Sequence, residues 1–149
     1  MGVVTRATLV ALLVVVAARA NTGAGQDAGA KSTGPKTTRD RIYSKEQATR
    51  GETQFGKVCA TCHDPAKVPA GKKPAPALTG DKWYENWKDR PLGEFFTIIQ
   101  TTMPNDGSVV LTDDETADLV AYLLKANGLP DGPAPLKGGA SSKDIVIVK

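Results

Sequence analysis

Both cysteines and the single histidine of this 149-residue chain fall within five consecutive positions, Cys59-Ala60-Thr61-Cys62-His63. On a helical turn, positions i and i+3 share a face, so the two thiols can each add across one vinyl group of the same haem. His63 follows at once, placed to give an imidazole nitrogen to the iron as proximal ligand. The pattern is that of a covalent c-type haem attachment site. Other uses of a Cys-x-x-Cys pair are a redox-active disulfide, a structural disulfide or half of a zinc site. A thioredoxin-like role wants a βαβ context, which the sequence lacks, and a structural zinc wants a fourth Cys or His, which the chain does not possess.

An iron held in this way needs a sixth ligand. The only methionines are Met1 and Met103, and there is no second histidine, so Met103 is the strong candidate. It follows an apolar segment, residues 92–100, that reads as a helix, and it precedes Pro104, which disfavours helical backbone at Met103 itself. The plain alternative is a methionine that fills a gap in the core. A soft thioether opposite imidazole favours ferrous iron and raises the potential. The pair also leaves no open coordination position, which argues for an outer-sphere electron carrier and against an enzyme.

Trp83 and Trp87 lie one helical turn apart with Tyr84 between them. Either indole N–H can donate to a haem propionate, a partly buried negative charge, or both rings can simply be buried against the porphyrin. Arg90 is a further possible partner for a propionate.

Helices around the motif must position these groups. Ser44-Lys45-Glu46-Gln47 fits a capping box, opening a helix that runs into Cys59. Gly51, Phe55 and Cys59 recur on one face of it, and a glycine inside a helix, which costs about 1 kcal/mol relative to Ala, suggests a close crossing. Thr112-Asp113-Asp114-Glu115 is a second capping box with its acids at the positive end of the helix dipole. Leu119, Tyr122, Leu123 and Ala126 follow at helical spacing before Asn127-Gly128 and Pro130 end the segment. A Gly-and-Phe notch on the first helix and a Leu-and-Tyr ridge on the last predict a near-perpendicular contact.

The start of the chain carries Arg6, an apolar run over residues 8–18, and Ala18-Arg19-Ala20, a small-x-small cleavage site. Residues 1–20 therefore read as a secretory signal peptide, the run being well short of the roughly 20 residues that span a bilayer. Cleavage lowers the basic count from 19 to 17 against 16 acids, a formal charge of +1 where the whole chain has +3. Residues 21–40 read as a flexible linker rich in Gly, Ala, Thr and Lys. Residues 41–129 form the globular domain, small enough that a buried prosthetic group adds substantially to its core. The tail, 130–149, is rich in Pro and Gly and ends in the β-prone run Ile145-Val146-Ile147-Val148, for which the sequence shows no pairing partner.

Gly51, Phe55, the Cys59 to His63 motif, Pro76-Ala77-Leu78-Thr79-Gly80, Met103-Pro104 and Ala117-Asp118-Leu119-Val120-Ala121-Tyr122-Leu123 occur in the order seen in class I cytochromes c. The chain resembles that family over residues 41–128. The resemblance implies an all-α fold of several short helices round one covalently bound haem c, with N- and C-terminal helices crossing, and it implies electron transfer. It also implies that a proline carbonyl accepts the proton of the ligating histidine; the matching position is Pro76, where Ala75 replaces the usual glycine, with Pro74 as the fallback. The same likeness favours a Trp of the Trp83/Trp87 region as propionate donor without selecting one. The stretch from Met103 is similar to cytochrome domains of bacterial quinoprotein dehydrogenases.

Taken together, the expectation is an exported, periplasmic, monomeric carrier of single electrons. A quinoprotein dehydrogenase is the expected donor, and a terminal oxidase or another cytochrome the acceptor. Alternatives are a fixed subunit of a dehydrogenase or oxidase complex, and a haem enzyme or sensor in which Met103 dissociates. No basic and aromatic constellation suggests nucleic acid, and no stable membrane insertion is expected after cleavage. Lysines cluster around the attachment segment and acids after Asp106, but Asp64, Asp81, Glu85 and Asp89 dilute the basic side, so a dipole and a mixed surface are both open.

Overall fold

The structure, a computed structural model, describes residues 1–2, 34, 36–64, 66–68, 70–71, 73 and 75–149. Two compact units are distinguished, 1–31 and 32–149. The expected signal peptide and most of the expected linker lie outside the described residues, and the account below concerns the second unit.

Five α-helices follow one another: α1 (Lys45–Val58), α2 (Ala60–His63), α3 (Asp81–Trp87), α4 (Leu92–Thr102) and α5 (Asp113–Ala126), with a 3-10 turn at Gly139–Ser142. Among the described residues extended pairing amounts to isolated bridges, so the fold is all-α. α5 begins with the expected reciprocal box: Glu115 N–H donates to Thr112 Oγ1 (3.3 Å) and Thr112 N–H to Glu115 Oε2 (2.9 Å). α1 carries only half of one. Gln47 N–H donates to Ser44 Oγ at 3.2 Å, but the Gln47 side chain does not return to Ser44. It is buried instead, donating to the Leu136 carbonyl (3.0 Å) and accepting from the Leu136 N–H (2.7 Å). A buried amide must satisfy both its ends, and the backbone at Leu136 does so in one geometry.

α1 packs on α5 through Gly51. A Cβ built there would stand 1.8 Å from the Asp118 carbonyl oxygen, so only hydrogen fits between the two backbones. Phe55 and Tyr122 stack beside the notch, ring centroids 5.1 Å apart and tilted by 47°, and Arg50 holds Asp118 with two bonds of 2.6 and 2.7 Å. α4 runs two residues beyond the expected end at residue 100 and stops where Met103 turns extended (φ −118°, ψ 144°), as the following proline requires.

The segment expected to be a tail packs as part of the domain. Leu136, Ser142, Ile145 and Ile147 are buried. Val146 bridges in parallel to Thr37 and antiparallel to Pro91, and Thr38 N–H donates to the Val146 carbonyl at 2.9 Å. The expected linker 21–40 is corrected at its end for the same reason: residues 36–40 are built into this pairing, and Thr38 is fully buried. Thr38 Oγ1 accepts from Val148 N–H (3.0 Å), supplying a bond that neither segment satisfies alone. The domain thus extends on both sides of 41–129.

Candidate functional site

Cys59 stands at the junction of two helices. Its N–H closes α1 on the Phe55 carbonyl (2.9 Å), while its own carbonyl accepts from Cys62 N–H (3.1 Å) and His63 N–H (3.0 Å), starting the single turn of α2. That turn gathers Cys59, Cys62 and His63 at one end of α1. Ala60, between them, is buried, whereas Thr61 is exposed. The two sulfurs are free thiols, and burial, with Cys62 second, pushes the Cys59 thiol up to about 11.

His63 Nδ1 lies 3.0 Å from the Pro76 carbonyl oxygen. With its proton on Nδ1 the ring donates there and keeps the Nε2 lone pair for a metal. The loop that brings Pro76 into place is tied twice more: Ala75 N–H donates to the Cys62 carbonyl (3.1 Å), and Asn127, just past α5, accepts from Gly80 N–H (2.9 Å) while donating to the Leu78 carbonyl (3.0 Å). Pro74, the alternative acceptor, lies outside the described residues. Asn127 reads in the sequence only as a helix terminator; its bonding to residues 78–80 has no sequence signal because its partners are backbone groups far along the chain.

Cys59, Cys62, His63, Pro76, Trp87 and Met103 line a single cavity of about 410 Å³. Its remaining walls are mainly hydrocarbon, with Phe55 and Leu78 on one part, Phe95 and Ile99 of α4, and Leu119 and Leu123 of α5. The size suits an organic cofactor. Among the described residues no group of three His, Cys, Asp or Glu side chains could hold a metal ion; the imidazole of His63 and the thioether of Met103 are neutral donors that line this apolar space.

The two tryptophans separate in role. Trp87 lines the cavity, packs edge-on to Phe95 (4.7 Å) and carries the Arg90 guanidinium 4.5 Å above its ring. Trp83 is wholly buried, edge-on to Phe95 at 5.5 Å, and its indole N–H has no hydrogen-bond acceptor. A buried donor without a partner costs about 1–3 kcal/mol, and an anionic oxygen of a bound group is the kind of acceptor that would offset it. Arg90 is exposed and grips Glu94 (Nε to Oε2 3.0 Å) besides covering Trp87. Lys82 pairs with Glu85, and Lys88 with Asp89, so the cations of α3 and its end are locally balanced.

The donor set and the apolar cavity fit a haem; of the two tryptophans, Trp87 lines that cavity and Trp83 is not among its lining residues. A family model described as "Cytochrome C oxidase, cbb3-type, subunit III" matches residues 46–123, more than half of the chain. No curated protein and no solved structure matches.

Proposed function

The chain belongs to this family of c-type cytochromes, whose function is haem-based electron transfer, and on that premise we propose that it is an exported monohaem carrier with iron held between His63 and Met103. The observation that carries the reading is the convergence of Cys59, Cys62, His63 and Met103 on one apolar cavity, with His63 already oriented by the Pro76 carbonyl. Haem supplies a one-electron couple between Fe(II) and Fe(III).

Each residue then has a defined task. Cys59 and Cys62 hold the macrocycle through thioether bonds, which consume the thiols. Pro76 keeps the proton of His63 on Nδ1, fixing the tautomer and making Nε2 more basic. Met103, extended at the end of α4, offers a neutral sulfur that binds the reduced metal well. Phe55, Phe95 and Leu123 exclude water, which disfavours the extra positive charge of the oxidised state. Of the two indoles, Trp87 lines the cavity whereas the buried Trp83 N–H lacks an acceptor among the described residues, and either would serve as donor to a propionate oxygen.

With both ligands retained in the two oxidation states, electron exchange with a partner protein would need little reorganisation. Export rests on Arg6, the apolar run 8–18 and Ala18-Arg19-Ala20. No helix among the described residues is long and apolar enough to cross a membrane. The description of the matching family favours a second arrangement, in which the domain is a fixed subunit of an oxidase or dehydrogenase complex and not a free shuttle. Size-exclusion chromatography of a native extract separates the two.

The test of ligation is spectroscopic. Mass measurement of the mature polypeptide should show one added haem, and the ferric protein should show the far-red charge-transfer band of a methionine sulfur on iron. Met103→Ala should abolish that band and allow the reduced protein to bind carbon monoxide. A Met103→Ala variant with an unaltered visible spectrum would refute the assignment.

A further inference from the structure

α4 presents two faces to two different neighbours. Phe95, Ile99 and Met103, spaced by four, line the cofactor cavity. Leu92, Gly93 and Phe96 meet the segment 136–148. Leu92 N–H donates to the Ile145 carbonyl at 2.7 Å, and a Cβ on Gly93 would lie 3.0 Å from Lys143 Cα. A Cβ on Gly138 would likewise lie 3.0 Å from Phe96 Cζ, so the strap backbone meets the helix directly at Gly93 and meets the Phe96 ring at Gly138. The turn just before α4 is pinned as well, Asp89 N–H donating to the Ile147 carbonyl (2.8 Å) and Ile147 N–H to the Arg90 carbonyl (3.0 Å).

We propose that residues 136–148 are a strap that positions α4 against the cofactor, and that Ile147, through this strap, is a positioning residue for Met103. The inference rests on the ligation proposed above. Three observations support it. The strap is not a loose appendage: Ile145, Ile147 and Ser142 are buried, and Gln47 of α1 clasps Leu136 through both ends of its amide. It lies wholly outside the family-matched residues 46–123, which contain every residue lining the cavity. It bears on the back of the one helix that ends at Met103, and it is anchored besides to α1 at Gln47 and to the start of α5 at Asp113. Holding α4 from behind opposes the small outward movement by which the sulfur would leave the iron.

The strap and a merely structural segment differ in what they do to ligand competition. Imidazole is titrated into the ferric holoprotein at a temperature where every variant is fully folded, following loss of the methionine-sulfur band, with thermal unfolding recorded in parallel. Ile147→Ala removes buried methylenes and should tighten apparent imidazole binding about 30-fold if most of its cost falls on the docked strap. Val120→Ala, buried in α5 and away from the cavity, should lower the unfolding temperature without changing imidazole affinity. If Ile147→Ala does not mature to holoprotein, Ile147→Val serves, with about a 5-fold effect.

Unchanged imidazole affinity in the Ile147 variant, with a lowered unfolding temperature, would overturn the strap's role. A wild-type protein lacking the methionine-sulfur band would overturn the ligation itself, and the two failures are read from different samples.

Discussion

Gly51→Ala tests the crossing that carries the attachment cysteine. The added methyl carbon would sit 1.8 Å from the Asp118 carbonyl oxygen, 2.5 Å from its carbon and 2.9 Å from Tyr122 Cβ. With about 3.3 Å as the closest comfortable carbon–oxygen distance, the helices must part by roughly 1.5 Å at this point. Two of the three obstructing atoms are backbone, so no rotamer change relieves the clash. Overpacking of this kind costs about 1–3 kcal/mol, and the upper end applies here. Ala is better than Gly in a helix by about 1 kcal/mol, which offsets part of it. Separation also strains the Arg50–Asp118 pair, an exposed interaction of at most about 1 kcal/mol, and the Phe55–Tyr122 contact. The net loss is about 2–3 kcal/mol, a fall of about 10 °C in the melting temperature of a domain this size. Thermal unfolding of the holoprotein by far-ultraviolet circular dichroism reads it directly. Since Phe55 and Cys59 sit one and two turns further along the same face, a small shift of the haem absorption should accompany the loss. A melting temperature within about 2 °C of wild type would show that the helices are not held at this separation.

Tyr43 gives a pH dependence of defined sign. Its hydroxyl is buried and donates to the Leu129 carbonyl at 2.5 Å, and burial, with Asp131 second, raises its pKa from 10.0 to about 12. A folded-state value above the unfolded one means that the protonated phenol stabilises the fold below pH 10 and that this contribution is lost between pH 10 and about 12. A rise of that size corresponds to about 3 kcal/mol, so denaturant midpoints should fall more steeply over that interval in the wild type than in Tyr43→Phe; parallel curves would refute the assignment. Trp83→Phe carries the packing cost of a smaller buried ring in either case, so the bond is read spectroscopically. If Trp83 donates to a propionate, the infrared carboxylate band of the holoprotein should shift, and about 2 kcal/mol beyond the packing cost should be lost on urea unfolding; an unchanged band would refute the bond.

The parts of this molecule that are legible in the sequence are those whose partners lie within a few residues. The motif at Cys59 to His63 folds on its own carbonyl, the box at Thr112 and Glu115 closes over three residues, and Pro104 stops α4 at its neighbour. The Gly51 notch is legible at long range because glycine weakens a helix, a cost that is offset where a second backbone must come within contact of the first. The box expected at Ser44 is incomplete because the Gln47 amide finds a better-buried partner 89 residues away, and local patterns carry no information about such competition. Asn127 is hidden for the same reason. Its role is written in where the backbone of residues 78–80 passes and not in any feature of the residue itself.

The run Ile145-Val146-Ile147-Val148 shows the limit most clearly. Its β-prone character is visible in the sequence, but that both isoleucines are buried and both valines half-buried is not, because all four residues are apolar. Its partners are invisible, because residues 36–38 are polar and residues 89–91 lie in the link between two helices, and neither reads as a strand. A bridge of this kind is specified by backbone groups that must be satisfied once the isoleucines are buried. The residues that line the cavity all lie within the family-matched stretch, whereas the back of α4 is braced by segments outside it. Under the ligation proposed above, weakening that brace should loosen Met103 without altering the cavity lining, which would place the tuning of the centre at positions that carry no motif of their own.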